Sequence, residues 1–134
     1  MPHDRLRHIN PTGVHAPAGY THIVEAQPGR LAYISGQVSI DPEGNIIHAD
    51  DIVLQTRQVF GNLKAALEAL GTDFSSVIKL NYYSVDASRL DEIRAVRNEF
   101  LHPTTLPAST FVIVKALVRP ELLIEIEAVV LLPA

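Results

Sequence analysis

Two stretches of the chain place apolar residues at helical spacing. In the longer one, residues 50–70, they recur three and four positions apart, which predicts an amphipathic helix. Its apolar face consists of Ile52, Val53, Val59, Phe60, Leu63, Ala66, Leu67 and Leu70. Asp50 or Asp51 is suited to cap the start of this helix and Gly71 to end it. Gly61, inside the helix, suggests a close approach to a sheet.

The second helical pattern is shorter and ends near Leu101. Its apolar positions are Leu90, Ile93, Val96 and Phe100. Ser88 followed three residues later by Asp91 resembles a capping box, and this predicts that the helix begins there.

Five other stretches alternate apolar with polar residues or are rich in β-branched and aromatic residues, which predicts strands. They are residues 21–26, 31–38, 77–85, 110–116 and 122–132. Residues 27–30 have the composition of a hairpin turn, and residues 1–17 are expected to form an irregular lead-in because the stretch from residue 8 onward is rich in turn residues. With one further short strand before the first helix, the predicted order is ββ(β)αβαββ.

This order predicts a single α+β domain over residues 1–134. Its two helices should pack on one face of a mixed sheet of about six strands. Two amphipathic helices cover only one side of such a sheet. The other face would stay partly apolar, and we expect it to be buried in an oligomer.

Composition narrows the function classes. The chain has 134 residues, is 47% hydrophobic, and carries a formal net charge of −4 with no run of Lys or Arg, which argues against a nucleic-acid surface. It has no cysteine, which excludes disulfides, zinc–thiolate sites and thiol catalysis. We see neither a secretory signal in residues 1–5 nor an apolar run long enough for a membrane helix, so a cytoplasmic location is expected.

The last predicted strand holds two carboxylates in an otherwise apolar run. Glu125 and Glu127 must point to the same face of that strand, because side chains alternate. A buried carboxylate is costly unless it is paired or hydrogen-bonded. This face is either exposed to solvent or paired across an interface, or at least one of the two carboxylates lines a pocket. In a pocket, burial would raise the pKa of Glu125 toward a range useful for proton transfer.

Other chemistries find little support in the sequence. The histidines are scattered and give no helical pair suited to a metal: His3, His8, His15, His22, His48 and His102. No glycine-rich phosphate loop suggests a nucleotide, and Ser109 lies in no nucleophile elbow. We therefore expect no cofactor and no metal.

The order and spacing of several short motifs resemble the RidA/YjgF family over nearly the whole chain. They are Ala18-Gly19-Tyr20, Ile34-Ser35-Gly36-Gln37, Asp41-Pro42-Glu43-Gly44, Gln55 and Asn62, Pro107-Ala108, and Ile124-Glu125-Ile126-Glu127-Ala128. The resemblance implies a chorismate-mutase-like fold and a homotrimer with a central barrel-like core and small-molecule sites between subunits. It also implies cofactor-free hydrolysis of reactive enamines and imines to keto compounds and ammonia.

The resemblance carries specific residues with it. Glu125 matches a glutamate that orients the attacking water or shuttles its proton. The residues expected to line the ligand site are Tyr20, Ser35, Gly36, Ser109 and Thr110. Tyr20 is equally suited to be a core or interface ring, and Ser35 and Gly36 equally suited to form a bulge.

This chain departs from the family at one position. Ser109 stands where active members have an arginine that binds the substrate carboxylate, so the chain resembles a divergent subgroup of the family. Arg94 falls where active members often carry an asparagine, with Arg97 one turn further on, and Arg94 would supply the missing guanidinium if it reached the pocket. Otherwise both arginines are expected to be solvated or salt-bridged. The alternatives are a trimer that binds a small imino- or keto-acid-like metabolite without turnover and, with less support, an endoribonuclease or translation inhibitor.

Overall fold

The computed structural model describes residues 5–134. His3 and the N-terminal residues examined for a secretory signal lie outside this range, except for Arg5. Six strands, two α-helices and two short 3-10 turns make up the fold. They are β1 (Leu6–Ile9), β2 (Ile23–Ala26), β3 (Arg30–Gln37), α1 (Ile52–Ala69), a 3-10 turn (Phe74–Ser76), β4 (Val77–Ser84), a 3-10 turn (Ala87–Arg89), α2 (Leu90–Phe100), β5 (Ala108–Ile113) and β6 (Ile124–Leu132).

Four of the strands form a mixed sheet in the order β3-β6-β4-β5. β4 and β5 run parallel because α2 connects them, while β6 pairs antiparallel with both β3 and β4. β1 and β2 form a separate antiparallel pair. The predicted α+β architecture is confirmed, and β3 and β5 are the edge strands of the larger sheet.

α1 begins and ends as its sequence predicts. Asp51 is the N-cap, and its carboxylate accepts a hydrogen bond from the Leu54 N–H at 3.0 Å. Gly71, at a φ of +74°, follows the last turn in the left-handed conformation that favours glycine. Both helices pack on the same face of the sheet, where Phe60, Leu80 and Ile126 are fully buried.

Three local predictions are wrong. The lead-in predicted over residues 1–17 is not irregular throughout, because Leu6–Ile9 pairs with β2 as strand β1 and Arg7 forms an ion pair with Glu25. Residues 27–30 do not form a hairpin, since β2 and β3 belong to different sheets. The Ser88 capping box is replaced by a 3-10 turn, in which Asp86 accepts hydrogen bonds from the backbone and hydroxyl of Ser88.

Gly61 is also not explained by a close helix–sheet contact. A Cβ at this position would meet nothing within 4 Å. An alanine should therefore be tolerated there, since it would remove the cost of glycine inside a helix.

The face of the sheet opposite the helices leaves large apolar side chains exposed. Tyr33 is 75% exposed and Leu31 53% exposed on β3, and Val112 is partly exposed on β5. The same face carries Glu125 and Glu127 on the central strand β6, both half-buried. We call it the helix-free face.

Candidate functional site

Strand register assigns the candidate residues to two different faces. Glu127 is paired with Asn81, and Asn81 with Thr110, so these three side chains form a row on the helix-free face. The Asn81 amide donates to the Glu127 carboxylate at 3.1 Å. Glu125 is paired with Tyr83 and lies on the same face.

The position of the Glu125 carboxyl group depends on a glycine, Gly36, in the neighbouring strand β3. The pairing of β3 with β6 shifts between Ile34 and Gln37, which leaves Ser35 and Gly36 in a bulge. A Cβ on Gly36 would overlap the carboxyl group of Glu125. The bulge and the glycine therefore have one shared effect, which is to let the carboxylate lie directly against the β3 backbone.

The surroundings of Glu125 favour its protonated form. Partial burial raises the pKa of Glu125 above its ordinary value, and the negative charge of Glu127 raises it further. Neither carboxylate has an ion-pair partner within the described part of the chain. The result is a carboxyl group that gives up its proton less readily than usual and accepts one more readily.

A cavity of about 310 Å³ opens in front of this carboxyl group. It is lined by Tyr83, Val114, Ala116, Leu117, Val118, Glu125 and Glu127. One wall is the loop that joins β5 to β6, and the Val118 side chain on that loop is 76% exposed. The cavity is mostly apolar apart from its carboxylates and the Tyr83 hydroxyl.

A second cavity, of about 380 Å³, lies on the helix side of the sheet, between α2, β5 and the loop that precedes β2. We call it the α2 cavity. It brings together three residues singled out in the sequence: Tyr20, Arg94 and Ser109. Ala18, Tyr82, Leu90, Ile93, Arg97 and Phe111 complete its lining. Arg94 therefore reaches a pocket that also contains Ser109. The sequence alone did not decide whether it would.

Tyr20 is oriented by two histidines that the sequence did not associate with it. Its hydroxyl is 2.9 Å from Nε2 of His15, and its ring packs edge-on against His22 with the centroids 5.2 Å apart. These contacts hold the ring at the mouth of the α2 cavity. No three histidine, aspartate or glutamate side chains in residues 5–134 cluster in a way that would hold a metal ion.

The structure separates two residues that are adjacent in sequence. Ser109 is paired with Leu80 and points to the helix side, into the α2 cavity. Thr110 points to the helix-free face, where its hydroxyl accepts a hydrogen bond from the Lys79 ammonium at 2.8 Å. Ser35 is exposed, and its carbonyl accepts from the Gln37 amide. One chain thus does not bring Ser109 and Glu125 together, since they lie on opposite faces and toward opposite edges of the sheet.

Arg97 was not among the residues singled out for the site. It lines the α2 cavity one turn after Arg94 and is half-buried. Its guanidinium lies against Gly19, where a Cβ would overlap it, and Gly19 has a φ of +79°. Burial lowers the pKa of Arg97, and the positive charge of Arg94 lowers it further. The Gly19 motif was noted in the sequence, but nothing local could pair it with α2.

Gln55 holds the segment from which β6 starts. It is fully buried in α1, and its amide donates to the carbonyls of His48 and Glu121 at 3.0 and 2.7 Å. Its side-chain oxygen accepts from the Leu123 N–H at 2.8 Å. The position of Glu125, two residues after Leu123, therefore depends on this buried amide.

Comparisons with known proteins agree with the fold and the motifs. The model of the family described as endoribonuclease L-PSP matches residues 12–132. A RutC family protein of Pyrococcus horikoshii is 38% identical over 110 residues, which cover 82% of this chain and 84% of that protein.

Two solved structures are similar over most of their length. The Rid-family protein YyfB of Yersinia pestis, itself described as of unknown function, is 37% identical with a TM-score of 0.89, covering 96% of this chain and 99% of that one. RidA from an Antarctic Psychrobacter is 31% identical with a TM-score of 0.71, covering 88% and 92%.

Proposed function

The chain belongs to the endoribonuclease L-PSP family, which is the RidA/YjgF family, and from that premise we propose that it hydrolyses reactive imines and enamines at sites between subunits of a homotrimer. The expected products are a keto compound and ammonia. The observation that carries the proposal is the Glu125 carboxyl group, held against Gly36 beside a cavity on a face that no helix covers.

Hydrolysis of an imine requires one group that accepts a proton from the attacking water. Water adds to the carbon of the C=N bond while Glu125 accepts one of its protons, and Glu125 then passes that proton to the nitrogen to give a carbinolamine. Collapse of the carbinolamine then forms the C=O bond and releases ammonia, with the second water proton passing to the nitrogen. An enamine first takes up a proton at carbon to become the imine. The raised pKa of Glu125 supports this role, because proton transfer is most effective when the pKa lies near the working pH.

Two arguments support a site shared between chains. Ser109 and Glu125 point to opposite faces of one sheet, so a ligand in contact with both would need a second copy of the chain. The edge strands β3 and β5 also carry these two half-sites, since Gly36 lies on β3 and Ser109 on β5. We expect the β5 edge of one chain to lie close to the β3 edge of the next, so that the Ser109 half-site of one chain meets the Glu125 half-site of its neighbour.

In this arrangement the substrate is held from the side of the α2 cavity. Ser109 donates a hydrogen bond, Tyr20 covers the ligand, and Arg94 attracts a negative charge. Backbone groups of the bulge at Ser35 and Gly36 contact the ligand from the Glu125 side. A cytoplasmic location remains an expectation; within residues 5–134 no helix is long and apolar enough to cross a membrane.

A second function is favoured by one observation, the serine at position 109. A hydroxyl cannot neutralise a carboxylate as a guanidinium does, so a trimer that binds a keto-acid-like metabolite without turnover is the alternative. Although the family description names an endoribonuclease, the net charge of −4 argues against an RNA substrate.

Imine turnover tests the proposal. Imino acids generated in situ by an amino-acid oxidase are partitioned between semicarbazide and the protein, for the wild type and Glu125→Gln. We expect faster keto-acid release with the wild type and loss of that acceleration, by about 100-fold or more, in the variant. If keto acids bind but no imine is consumed faster, the binding-only function replaces this one. Equal turnover by the two proteins would remove Glu125 from the mechanism.

A further inference from the structure

The α2 cavity contains two guanidinium groups and no acidic side chain among its lining residues. Within residues 5–134, no carboxylate oxygen lies within 4.0 Å of the Arg97 guanidinium. Its hydrogen bonds go to the neutral amide oxygen of Asn98, at 3.2 Å from both Nε and Nη2. A half-buried arginine without a counter-ion is costly, so this position favours an anion that arrives with the ligand.

Arg94 is nearly as free. Within residues 5–134 its one ion pair is with Asp91 at 4.0 Å, and the Asp91 side chain is fully exposed, so the contact is weak. The two guanidinium groups also repel each other, since the charge of Arg94 lowers the pKa of Arg97. Because burial keeps the phenol of Tyr82 neutral by raising its pKa far above the ordinary value, that hydroxyl does not serve as the missing anion.

The surroundings fix Arg97 more firmly than Arg94. Arg97 lies against the backbone of Gly19, where any side chain would displace it, whereas the Arg94 side chain is 45% exposed. The stacked rings of Tyr82 and Phe111, with centroids 5.5 Å apart, also line the cavity. A carboxylate at Arg97 would thus share the cavity with two aromatic rings and with the more exposed Arg94.

A cleft on the other side of α2 provides the contrast. It has a volume of about 670 Å³ and contains Lys64, but Glu68, Asp73 and Glu99 lie in the same cleft. Its charges are therefore mixed, while those of the α2 cavity have one sign.

We propose that Arg97 binds the substrate carboxylate in place of the guanidinium absent at position 109, and that Arg94 binds a second acidic group. The preferred substrates are then dianionic imines derived from dicarboxylic amino acids. This proposal rests on the imine hydrolysis proposed above. Gly19 is a positioning residue in this account, because it provides the room in which the Arg97 guanidinium lies.

Binding of stable product analogues tests this without turnover. Titration calorimetry with 2-oxoglutarate and with 2-oxopentanoate compares two C5 keto acids that differ in one carboxylate. We expect the wild type to bind the dicarboxylate at least about tenfold more tightly, the effect of one charge-assisted contact. Arg94→Gln should remove this preference, because it weakens binding of the dicarboxylate far more than binding of the monocarboxylate. Arg97→Gln should weaken both by about tenfold or more.

Two variants guard against a merely structural effect. Arg57→Gln removes an exposed arginine that pairs with Glu99 outside the cavity, and it should bind both ligands like the wild type. Gly19→Ala keeps every charge but displaces Arg97, so it should weaken both ligands as Arg97→Gln does, with a native circular dichroism spectrum confirming the fold of each variant.

The proposal is overturned if the two ligands bind with equal affinity to the wild type, or if Arg97→Gln binds both unchanged. Its fate is separable from that of the proposed function. Arginine-dependent binding of 2-oxoglutarate without imine turnover would leave the anion site and remove the hydrolase. Turnover with the same KM in wild type and Arg97→Gln would leave the hydrolase and remove the anion site.

Discussion

Glu125 combines a cost to the fold with the role in proton transfer that we propose for it. Its carboxyl group is half-buried beside Glu127, and Gly36 gives it room against the backbone. The alternation of side chains in a strand places Glu125 and Glu127 on one face, and the sequence alone predicts this. The effect of these surroundings on the pKa of Glu125 can be tested by single substitutions.

Removing the charge of Glu127 should lower the pKa of Glu125. The Glu127 carboxylate raises that pKa by repulsion, and Glu127→Gln keeps the shape of the side chain without the charge. The side-chain carboxyl resonance of Glu125, followed by NMR against pH, should titrate at lower pH in the variant. Glu43→Gln, at an exposed turn outside this face, should leave the titration unchanged. An unchanged titration in Glu127→Gln would mean that the two carboxylates do not interact.

Glu125→Gln should stabilise the fold at neutral pH. Because the folded-state pKa of Glu125 is raised, the native state binds more protons than the unfolded one between the two pKa values. Stability is therefore lost as pH rises from the ordinary glutamate pKa through the folded-state value. The gain in the variant should be below about 1 kcal/mol, since the site is partly exposed. Urea unfolding at pH 7 measures it, and below about pH 4 the two proteins should be equally stable. A variant less stable than the wild type at pH 7 would contradict this account.

Residues that depend on long-range contacts escaped prediction. Ser109 and Thr110 were both expected to bind the ligand, yet the register of β5 places Ser109 on the helix side and Thr110 on the helix-free face. Arg97 was noted beside Arg94 but not placed in the site, because its packing against Gly19 joins α2 to a loop distant in sequence. No local pattern signals such a contact.

At the level of elements, helix α1 does more than cover the sheet. Gln55 extends from it to the segments before α1 and before β6, and so fixes where β6 starts. The sequence gives Gln55 as part of a family motif but gives no reason for it. The structure supplies the reason, which is three hydrogen bonds from one fully buried amide.

Gln55→Leu should destabilise the protein by about 2–4 kcal/mol. The change leaves the Leu123 N–H and the carbonyls of His48 and Glu121 without these buried partners, and unmet polar groups are costly. Chemical denaturation measures the loss. Gln58→Leu in the same helix removes one hydrogen bond, to Asn62, at a half-buried position and should cost less than about 1 kcal/mol. Equal losses of stability in the two variants would show that the hydrogen bonds of Gln55 to His48, Glu121 and Leu123 are unimportant.

The helices and the longer strands follow from periodicity within a few residues of their observed ends, because each has an apolar face that the core requires. The pairing of the first strands does not follow from periodicity. β1 pairs with β2 across a long connection, and the β2–β3 turn joins two separate sheets. Pairing of this kind depends on tertiary contacts, which turn composition does not encode.

At the scale of the whole molecule, the helix-free face is incomplete in a single chain. It exposes Tyr33 and Leu31 beside half-buried carboxylates. We expect Tyr33→Asp to lower the solution mass from that of a trimer toward that of a monomer, since it places a charge in an apolar contact. Light scattering after size exclusion measures this. Leu54→Asp, on the exposed side of α1, should keep the wild-type mass. A monomeric wild type would contradict the shared site.

The most direct test of the central claim is complementation between two defective chains. Glu125→Gln removes the proton acceptor on the helix-free face, and Ser109→Tyr fills the α2 cavity on the other face. Each variant alone should lose imine turnover. If each site joins Glu125 of one chain to the Ser109 side of the next, an equimolar mixture refolded together should regain about a quarter of the wild-type activity, because random assortment leaves that share of sites intact. A mixture as inactive as its components would contradict a site built from two chains.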